Sequence, residues 1–252
     1  MRLNLRWYME IGLSKKLDSP PRVRRVATLS LPWACIACIA CNAGVVHAAG
    51  GPDPRPTYCV IDLPANPSDY RLRDSTAQYR WSYDDNWKNH TAAAVKLVQA
   101  GQFTRNARTD IEWTLFRWPN HLPALEAAIE YDLKGGRPYE FRPVECYFAR
   151  GRAFAPNDLG VLMAEAVYYW KKGEKDRART SYEDALAIQP DSADAHYNLG
   201  LLDVEMQRFD EALKHAWAAY DAGYPLSGLR NKLIKSGHWR DPPRGAEPAT
   251  KP

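Results

Sequence analysis

The most regular feature of this chain is a pattern of small and apolar residues that recurs every 34 residues from residue 159 to residue 225. Within each unit, apolar positions lie three and four residues apart in two segments, the spacing that gives a helix one buried face. A single pair of such helices cannot bury its apolar face, so neighbouring pairs must stack. The sequence therefore predicts two stacked helix pairs, at residues 159–192 and 193–225.

Repeat packing is expected at the positions that hold these small and apolar residues. In the first unit they are Leu162, Ala166, Tyr169, Ala178, Tyr182, Ala185 and Pro190. In the second unit they are His196, Leu199, Gly200, Ala212, Ala216 and Ala219. Small residues let two helices approach closely, and the larger ones fill the space beside them.

Two weaker units precede these in the same phase. Residues 122–158 carry apolar residues at helical spacing in two segments, and an enlarged turn at 135–143 makes the unit three residues longer. Residues 88–121 show a fainter version of the pattern. After the last unit, residues 226–237 have apolar side chains at helical spacing and end at Gly237, which predicts a cap helix for the array.

The two flanks lack this periodicity. Residues 49–87 are rich in Pro, Asp, Tyr and Trp and predict an irregular arm. Residues 238–252 are rich in proline and predict a disordered tail. The repeat array is therefore expected to span residues 88–237.

Three segments resemble the tetratricopeptide-repeat (TPR) family. They are Ala185-Leu-Ala-Ile-Gln-Pro190, Ala195-His-Tyr-Asn-Leu-Gly200 and Arg208-Phe-Asp-Glu-Ala212. The resemblance implies an all-α solenoid of about four helix pairs with a C-terminal cap helix, preceded by the irregular arm.

The chain departs from the family pattern at Glu165 and at Tyr224, where the family has a proline that follows one residue late as Pro225. Short segments around residues 69–71, 118–125, 144–148 and 223–230 are also similar to exported bacterial TPR proteins without an assigned activity. That similarity implies an envelope location and transfers no function.

TPR proteins generally hold extended or helical peptides in a concave groove lined by the first helix of each pair. The resemblance places the following residues at groove positions of the two clear repeats: Gly160, Met163, Val167, Trp170, Asp194, Tyr197, Leu201 and Val204, with Asn198 beside them. We expect Trp170 to face this groove and not the seam between helices. The groove lacks the Lys and Asn pairs with which some TPR proteins clamp a chain end, so it predicts an apolar peptide or helix as ligand. The alternative is that the arm fills the groove.

The formal charge of +4 must be located before it is used to predict a partner. Residues 1–48 hold seven basic and two acidic residues, which leaves 27 basic and 28 acidic side chains in the remainder. The remainder therefore has no general attraction for nucleic-acid phosphates. We expect a protein or peptide partner and no nucleic acid.

Residues 1–48 have the layout of a secretory signal peptide. A cluster of arginines at residues 22–25 precedes an apolar run from residue 26 to residue 46, and Val46-His47-Ala48 predicts cleavage after Ala48. Export to a bacterial periplasm follows from this layout. Two alternatives keep the protein at the membrane and facing the periplasm: an uncut apolar run that acts as an anchor, and lipidation at Cys38 or Cys41 in a poor lipobox.

The five cysteines divide between the leader and the rest of the chain. Cys35, Cys38 and Cys41 lie in the apolar run and are interpreted as small apolar residues of the signal. Cys59 and Cys146 remain, and an oxidising compartment favours a disulfide between them. The alternative leaves Cys59 free and Cys146 as a buried small hydrophobe.

No spacing in the sequence is typical of a nucleophile elbow, a phosphate loop, a zinc-protease helix or a dinucleotide fingerprint. The six histidines include no pair at metal-ligand spacing on one helix, so we expect no metal or cofactor. Three functions remain: an exported interaction module that is not an enzyme, an anchored accessory subunit of an envelope export or assembly machine, and an enzyme whose site combines the arm with the array.

Overall fold

The computed structural model of this chain describes residue 59 and residues 62–134 and 142–242. The predicted signal peptide, its three cysteines, most of the turn at 135–143 and the end of the tail lie outside the described residues. After a short 3-10 turn at Tyr70–Leu72, the described residues form these helices: α1 (Ala77–Asn86), α2 (Ala92–Gln99), α3 (Arg105–Arg117), α4 (Leu122–Lys134), α5 (Val144–Phe154), α6 (Leu159–Lys171), α7 (Lys175–Ile188), α8 (Ala193–Glu205), α9 (Phe209–Asp221) and α10 (Gly228–Lys235).

Consecutive helices form four stacked pairs and a cap. Helix α2 packs on α3, α4 on α5, α6 on α7 and α8 on α9, and α10 packs against both α8 and α9. The predicted all-α array of helix pairs with a C-terminal cap helix is confirmed. No described helix combines the length and the apolar character needed to cross a membrane.

Local sequence signals fix where several of these helices begin. The side chains of Thr104, Asp158 and Ser192 each accept a hydrogen bond from a backbone N–H in the first turn of α3, α6 and α8. Such caps satisfy donors that a helix leaves without an internal partner. Gly173, with a φ of 81°, provides the left-handed turn between α6 and α7.

All but two of the predicted packing residues are buried. The buried residues are Leu162, Ala166, Tyr169, Ala178, Tyr182, Ala185, Leu199, Gly200, Ala212, Ala216 and Ala219. His196 is half-buried, and Pro190 is exposed because it lies in the turn after α7 ends at Ile188. There its carbonyl oxygen accepts a hydrogen bond from Nε2 of His196, 2.9 Å away. The prediction that Pro190 packs between helices is therefore wrong.

The arm is more regular than the sequence predicts. Residues 77–86 form α1, which continues through one π-helical turn at Trp87–Thr91 into α2. Thr76 caps α1 by accepting a hydrogen bond from the Tyr79 backbone N–H. The prediction of an irregular segment up to residue 87 is wrong from residue 77 onward. Asn86 alone is buried among the residues of α1, so this helix has no apolar face that a sequence pattern could indicate.

The ordered chain also extends past the cap helix. The ring of His238 stacks on Phe209 with centroids 3.8 Å apart. The indole N–H of Trp217 donates a hydrogen bond to the Arg240 carbonyl oxygen over 2.9 Å. The prediction of a disordered tail is therefore wrong for residues 238–240, because aromatic side chains hold them against α9.

Candidate protein-binding surface

The predicted groove residues lie on α6 and α8, the first helices of the last two pairs. The side chains of Met163, Val167 and Asn198 are completely buried. Tyr197 is only 4% exposed and Leu201 only 6%. The expectation of an open apolar groove is wrong at these five positions in this structure. Met163 and Val167 instead belong to the main hydrophobic core. Four groove positions remain half-buried: Gly160, Trp170, Asp194 and Val204.

The C-terminal cap accounts for the burial of Tyr197 and Leu201. The ring of Tyr224 stacks on Tyr197 with centroids 4.0 Å apart. Gly228 lies so close that an added Cβ would come within 2.5 Å of the Tyr197 hydroxyl. Leu229 of α10 joins Tyr197 and Leu201 in one hydrophobic cluster. Tyr224, which departs from the family's proline, is therefore a packing residue of the cap.

Trp170 lies at the junction between the two parts of the array. Its side chain packs against the main core cluster, which extends from α2 to α8, and also against the second cluster, formed by α8, α9, α10 and the turn before α10. Its indole N–H donates a hydrogen bond to the Glu205 carboxylate over 2.8 Å. The expectation that Trp170 avoids the seam is wrong, because this side chain packs in the seam while part of its surface stays exposed.

Asn198 carries a polar atom that the described fold does not use. Its Nδ2 donates a hydrogen bond to the Asp194 carbonyl oxygen, 2.8 Å away and one turn earlier in α8. Its buried Oδ1 accepts no hydrogen bond in the part of the chain that is described. Leaving a buried acceptor unsatisfied costs about 1–3 kcal/mol. Such an atom is a candidate contact for a ligand that brings its own donor.

The arm docks on α3, on α5 and on the turns between pairs. Cys59 and Cys146 form a disulfide with Cα atoms 5.2 Å apart, so the predicted pairing is confirmed. The Ser68 backbone N–H donates to the Arg117 carbonyl oxygen over 2.9 Å. Arg71 of the arm also reaches the start of α6, where its Nε lies 3.5 Å from Oδ2 of the capping residue Asp158. These contacts lie on α3, on α5 and at the cap of α6, and they do not support the alternative that the arm fills the groove between α6 and α8.

His121 closes the junction between the arm and the array. Its ring lies 4.5 Å from Tyr70, 5.7 Å from Tyr83 and 6.0 Å from Trp87, measured between centroids. Its Nδ1 accepts a hydrogen bond from the Ala124 backbone N–H and so caps α4. Complete burial lowers the pKa of His121 to about 3. The neutral imidazole therefore has a structural role at this junction.

The sequence did not indicate one pair of neighbouring histidines, because its members lie on different helices. The Nδ1 atoms of His196 on α8 and His215 on α9 are 3.0 Å apart. Nε2 of His215 lies 3.7 Å from Oδ2 of the buried Asp203. Burial, together with the neighbouring His196, lowers the pKa of His215 to about 4. Within residues 62–134 and 142–242 and at residue 59, no group of three or more His, Cys, Asp or Glu side chains could hold a metal ion.

A family model and several solved structures are similar to parts of this chain. Residues 168–207, from the last turn of α6 to the end of α8, match a family model described as TPR repeat. A thermophilic TPR protein of Thermus thermophilus has a similar solved structure, with a TM-score of 0.44 and 21% identity over 58% of this chain and 78% of that one. A mutant of MamA matches with a TM-score of 0.40 and 16% identity over 62% of this chain and 90% of that one.

No curated protein sequence matches this chain. The solved structures are only distantly similar, so the likeness to a TPR repeat rests on the match at residues 168–207. Residues 168–207 thus resemble a tetratricopeptide repeat, within a chain whose described residues form an all-α array of helix pairs.

Proposed function

We propose that this protein is an exported module that binds another protein along α6 and α8 and catalyses nothing itself. TPR repeats generally mediate protein–protein interactions, which makes a binding role the starting point. The ligand would be an extended peptide or a helix of the partner.

The observation that carries this proposal is the unsatisfied Oδ1 of Asn198. An extended peptide offers a backbone N–H at every residue except proline, and one of these would satisfy the buried acceptor. To reach α8, the peptide would need to displace side chains that now cover this helix. One of them is Tyr224, whose ring stacks on Tyr197, the residue before Asn198.

The half-buried side chains of Trp170 and Val204 would give the partner an apolar anchor. Aromatic side chains at such positions commonly dominate interface energies. Charged groups lie beside these two apolar side chains. The Glu205 carboxylate accepts a hydrogen bond from the Trp170 indole, and Nζ of Lys175 lies 3.8 Å from the same carboxylate. This arrangement favours an apolar segment flanked by polar residues over a free chain end.

Export is the second part of the proposal. It is supported by the signal-peptide layout of residues 1–48 and by the Cys59–Cys146 disulfide, a bond that persists in oxidising compartments. N-terminal sequencing of the protein recovered from a bacterial envelope fraction tests it. We expect a mature chain that begins near Ala49, and a chain that begins at Met1 would contradict cleavage.

The binding role is tested with Asn198→Leu and the matched control Asn231→Leu, which changes an exposed residue of the cap helix. A leucine of similar size removes the unsatisfied acceptor, so we expect the free energy of unfolding to stay level or rise. Partner recovery in a stoichiometric pull-down should fall with Asn198→Leu and remain unchanged with Asn231→Leu. Equal recovery of the partner by both variants would contradict a contact at Asn198.

A further inference from the structure

Arg150 is a buried cation whose hydrogen-bonding capacity the described fold leaves unused. The side chain lies in the middle of α5 and is 3% exposed. Its Nε and Nη2 are both buried without a hydrogen-bond partner. One face of the guanidinium lies over the Phe116 ring, 5.2 Å from its centroid. Burying a charge without hydrogen bonds is costly, so such a group calls for an explanation.

The two unused atoms form one edge of the guanidinium. The N–H bonds of Nε and Nη2 lie in the guanidinium plane and point in parallel from the same edge. This edge can bind the two oxygens of a carboxylate. The Asp62 carboxylate from the arm comes nearest, with Oδ1 3.6 Å from Nε, too far for a hydrogen bond. Among the described residues, Arg150 therefore has a counter-charge in Asp62 and no bidentate partner.

Asp62 is held instead by Arg142, which precedes α5. Arg142 donates from Nη1 to Oδ1 over 2.6 Å and from Nη2 to Oδ2 over 3.2 Å. The Asp62 side chain is 46% exposed, so the carboxylate also faces solvent. The other charged groups that act on Arg150 are Arg142 itself, which repels it, and Glu112 of α3, which attracts it. If Asp62 is withdrawn, Glu112 still acts on both guanidinium groups, and two positive charges beside this carboxylate would attract an anion.

We propose that Arg150 and Arg142 form a carboxylate-binding site which the arm occupies with Asp62, and which takes a carboxylate ligand when Asp62 is withdrawn. Entry needs no opening of the core, because the ligand replaces a group that already reaches solvent. This site lies on α5 and beside the disulfide, four residues from Cys146, and is separate from the surface proposed on α6 and α8. The ligand is either a free small carboxylate or an acidic side chain of a peptide.

The test uses the full mature chain with Asp62→Ala, in which Cys59 still tethers the arm. Acetate and the blocked tripeptide Asp-Leu-Pro, which copies residues 62–64, are titrated in separate calorimetric experiments. We expect saturable binding of at least one probe to Asp62→Ala, about tenfold or more tighter than to the wild type, where Asp62 competes. Tighter binding of the tripeptide would assign a peptide source, and equal binding would assign a free carboxylate.

The control adds Arg150→Met to Asp62→Ala, with Arg150→Lys as a second variant that keeps the charge but lacks the two-donor edge. Binding should be lost with methionine and weakened with lysine. Circular dichroism checks that each variant keeps its helical content. If the methionine variant does not fold, the binding measured with the lysine variant decides whether Arg150 holds the ligand. If neither probe binds to Asp62→Ala, or if binding is unchanged in both Arg150 variants, the proposal is wrong.

Discussion

The carboxylate of Glu165 lies 3.0 Å from Nη1 of Arg152, in the seam where α5 meets α6. Glu165 is almost fully buried, and Arg152 also donates to Asp184 of α7 over 3.1 Å. The acidic residue that departs from the repeat pattern thus forms one side of a polar link across three helices. Burial raises the pKa of Glu165 above its ordinary value, and the neighbouring Arg152 offsets only part of this rise.

This pair predicts an asymmetry between two substitutions. Glu165→Leu removes the buried charge and leaves Arg152 with Asp184 and solvent, so we expect the free energy of unfolding to change by less than about 1 kcal/mol. Arg152→Met leaves Glu165 buried without its cation and should cost about 3 kcal/mol at pH 8. Urea unfolding of both variants measures the difference.

The loss in Arg152→Met should shrink as the pH falls from 8 to 5. A carboxyl whose folded pKa lies above its unfolded value binds its proton more tightly in the folded state, so its protonation favours folding. Equal losses for the two substitutions, or a pH-independent loss in Arg152→Met, would contradict a buried ion pair at this seam.

His121 predicts a loss of stability in mild acid. Its folded pKa of about 3 lies below the unfolded value near 6.5, so the unfolded chain binds the extra proton first. Stability contributed by the neutral ring is present above pH 6.5 and is lost as the pH falls toward 3, with a slope that approaches about 1.4 kcal/mol per pH unit. His121→Asn keeps a capping acceptor for Ala124 and does not titrate.

Urea unfolding at pH 7.5 and pH 5 compares the wild type with His121→Asn, and His90→Asn on the half-exposed His90 serves as the control. We expect a smaller pH dependence only in His121→Asn. The same pH dependence in all three proteins would show that His121 does not titrate against the fold.

The disulfide predicts both a thiol count and a stability change. Denatured, unreduced mature protein should contain no free thiol. The variant with Cys59→Ser and Cys146→Ser should lose about 4 kcal/mol, because the bond closes a loop with a sequence separation of 87 residues. Thermal unfolding with and without a reducing agent measures this loss, and the reducing agent should have no effect on the double variant. Two free thiols per mature chain would contradict the disulfide.

The helix pairs could be predicted from the sequence because close helix packing demands small residues at fixed positions. Ala166, Gly200 and Ala212 are examples, and each is buried where the repeat pattern places it. Helix α1 could not be predicted in this way, since it buries so little of its surface. Its contacts come from single aromatic residues such as Tyr83, which leave no periodic pattern.

The candidate site was predicted less well than the fold. Sequence position identifies which residues lie on α6 and α8, but exposure depends on what packs over them. Tyr197 is covered by Tyr224 from beyond the last repeat, and Trp170 bonds to Glu205 of the next pair. The contact between Asp62 and Arg150 joins residues that are far apart in the chain, so no local spacing could indicate it.

Site-specific photo-cross-linking tests the central claim, that a partner protein binds along α6 and α8, most directly. A photoreactive phenylalanine analogue replaces Val204, which is half-buried on α8, or Ile234, which is 53% exposed on the cap helix and serves as the control. Both proteins are expressed with their leader and irradiated in intact cells. The account predicts one discrete cross-linked partner from position 204, absent from position 234 and lost when Asn198→Leu is added. No discrete product at position 204, or the same product from both positions, would contradict binding along α8.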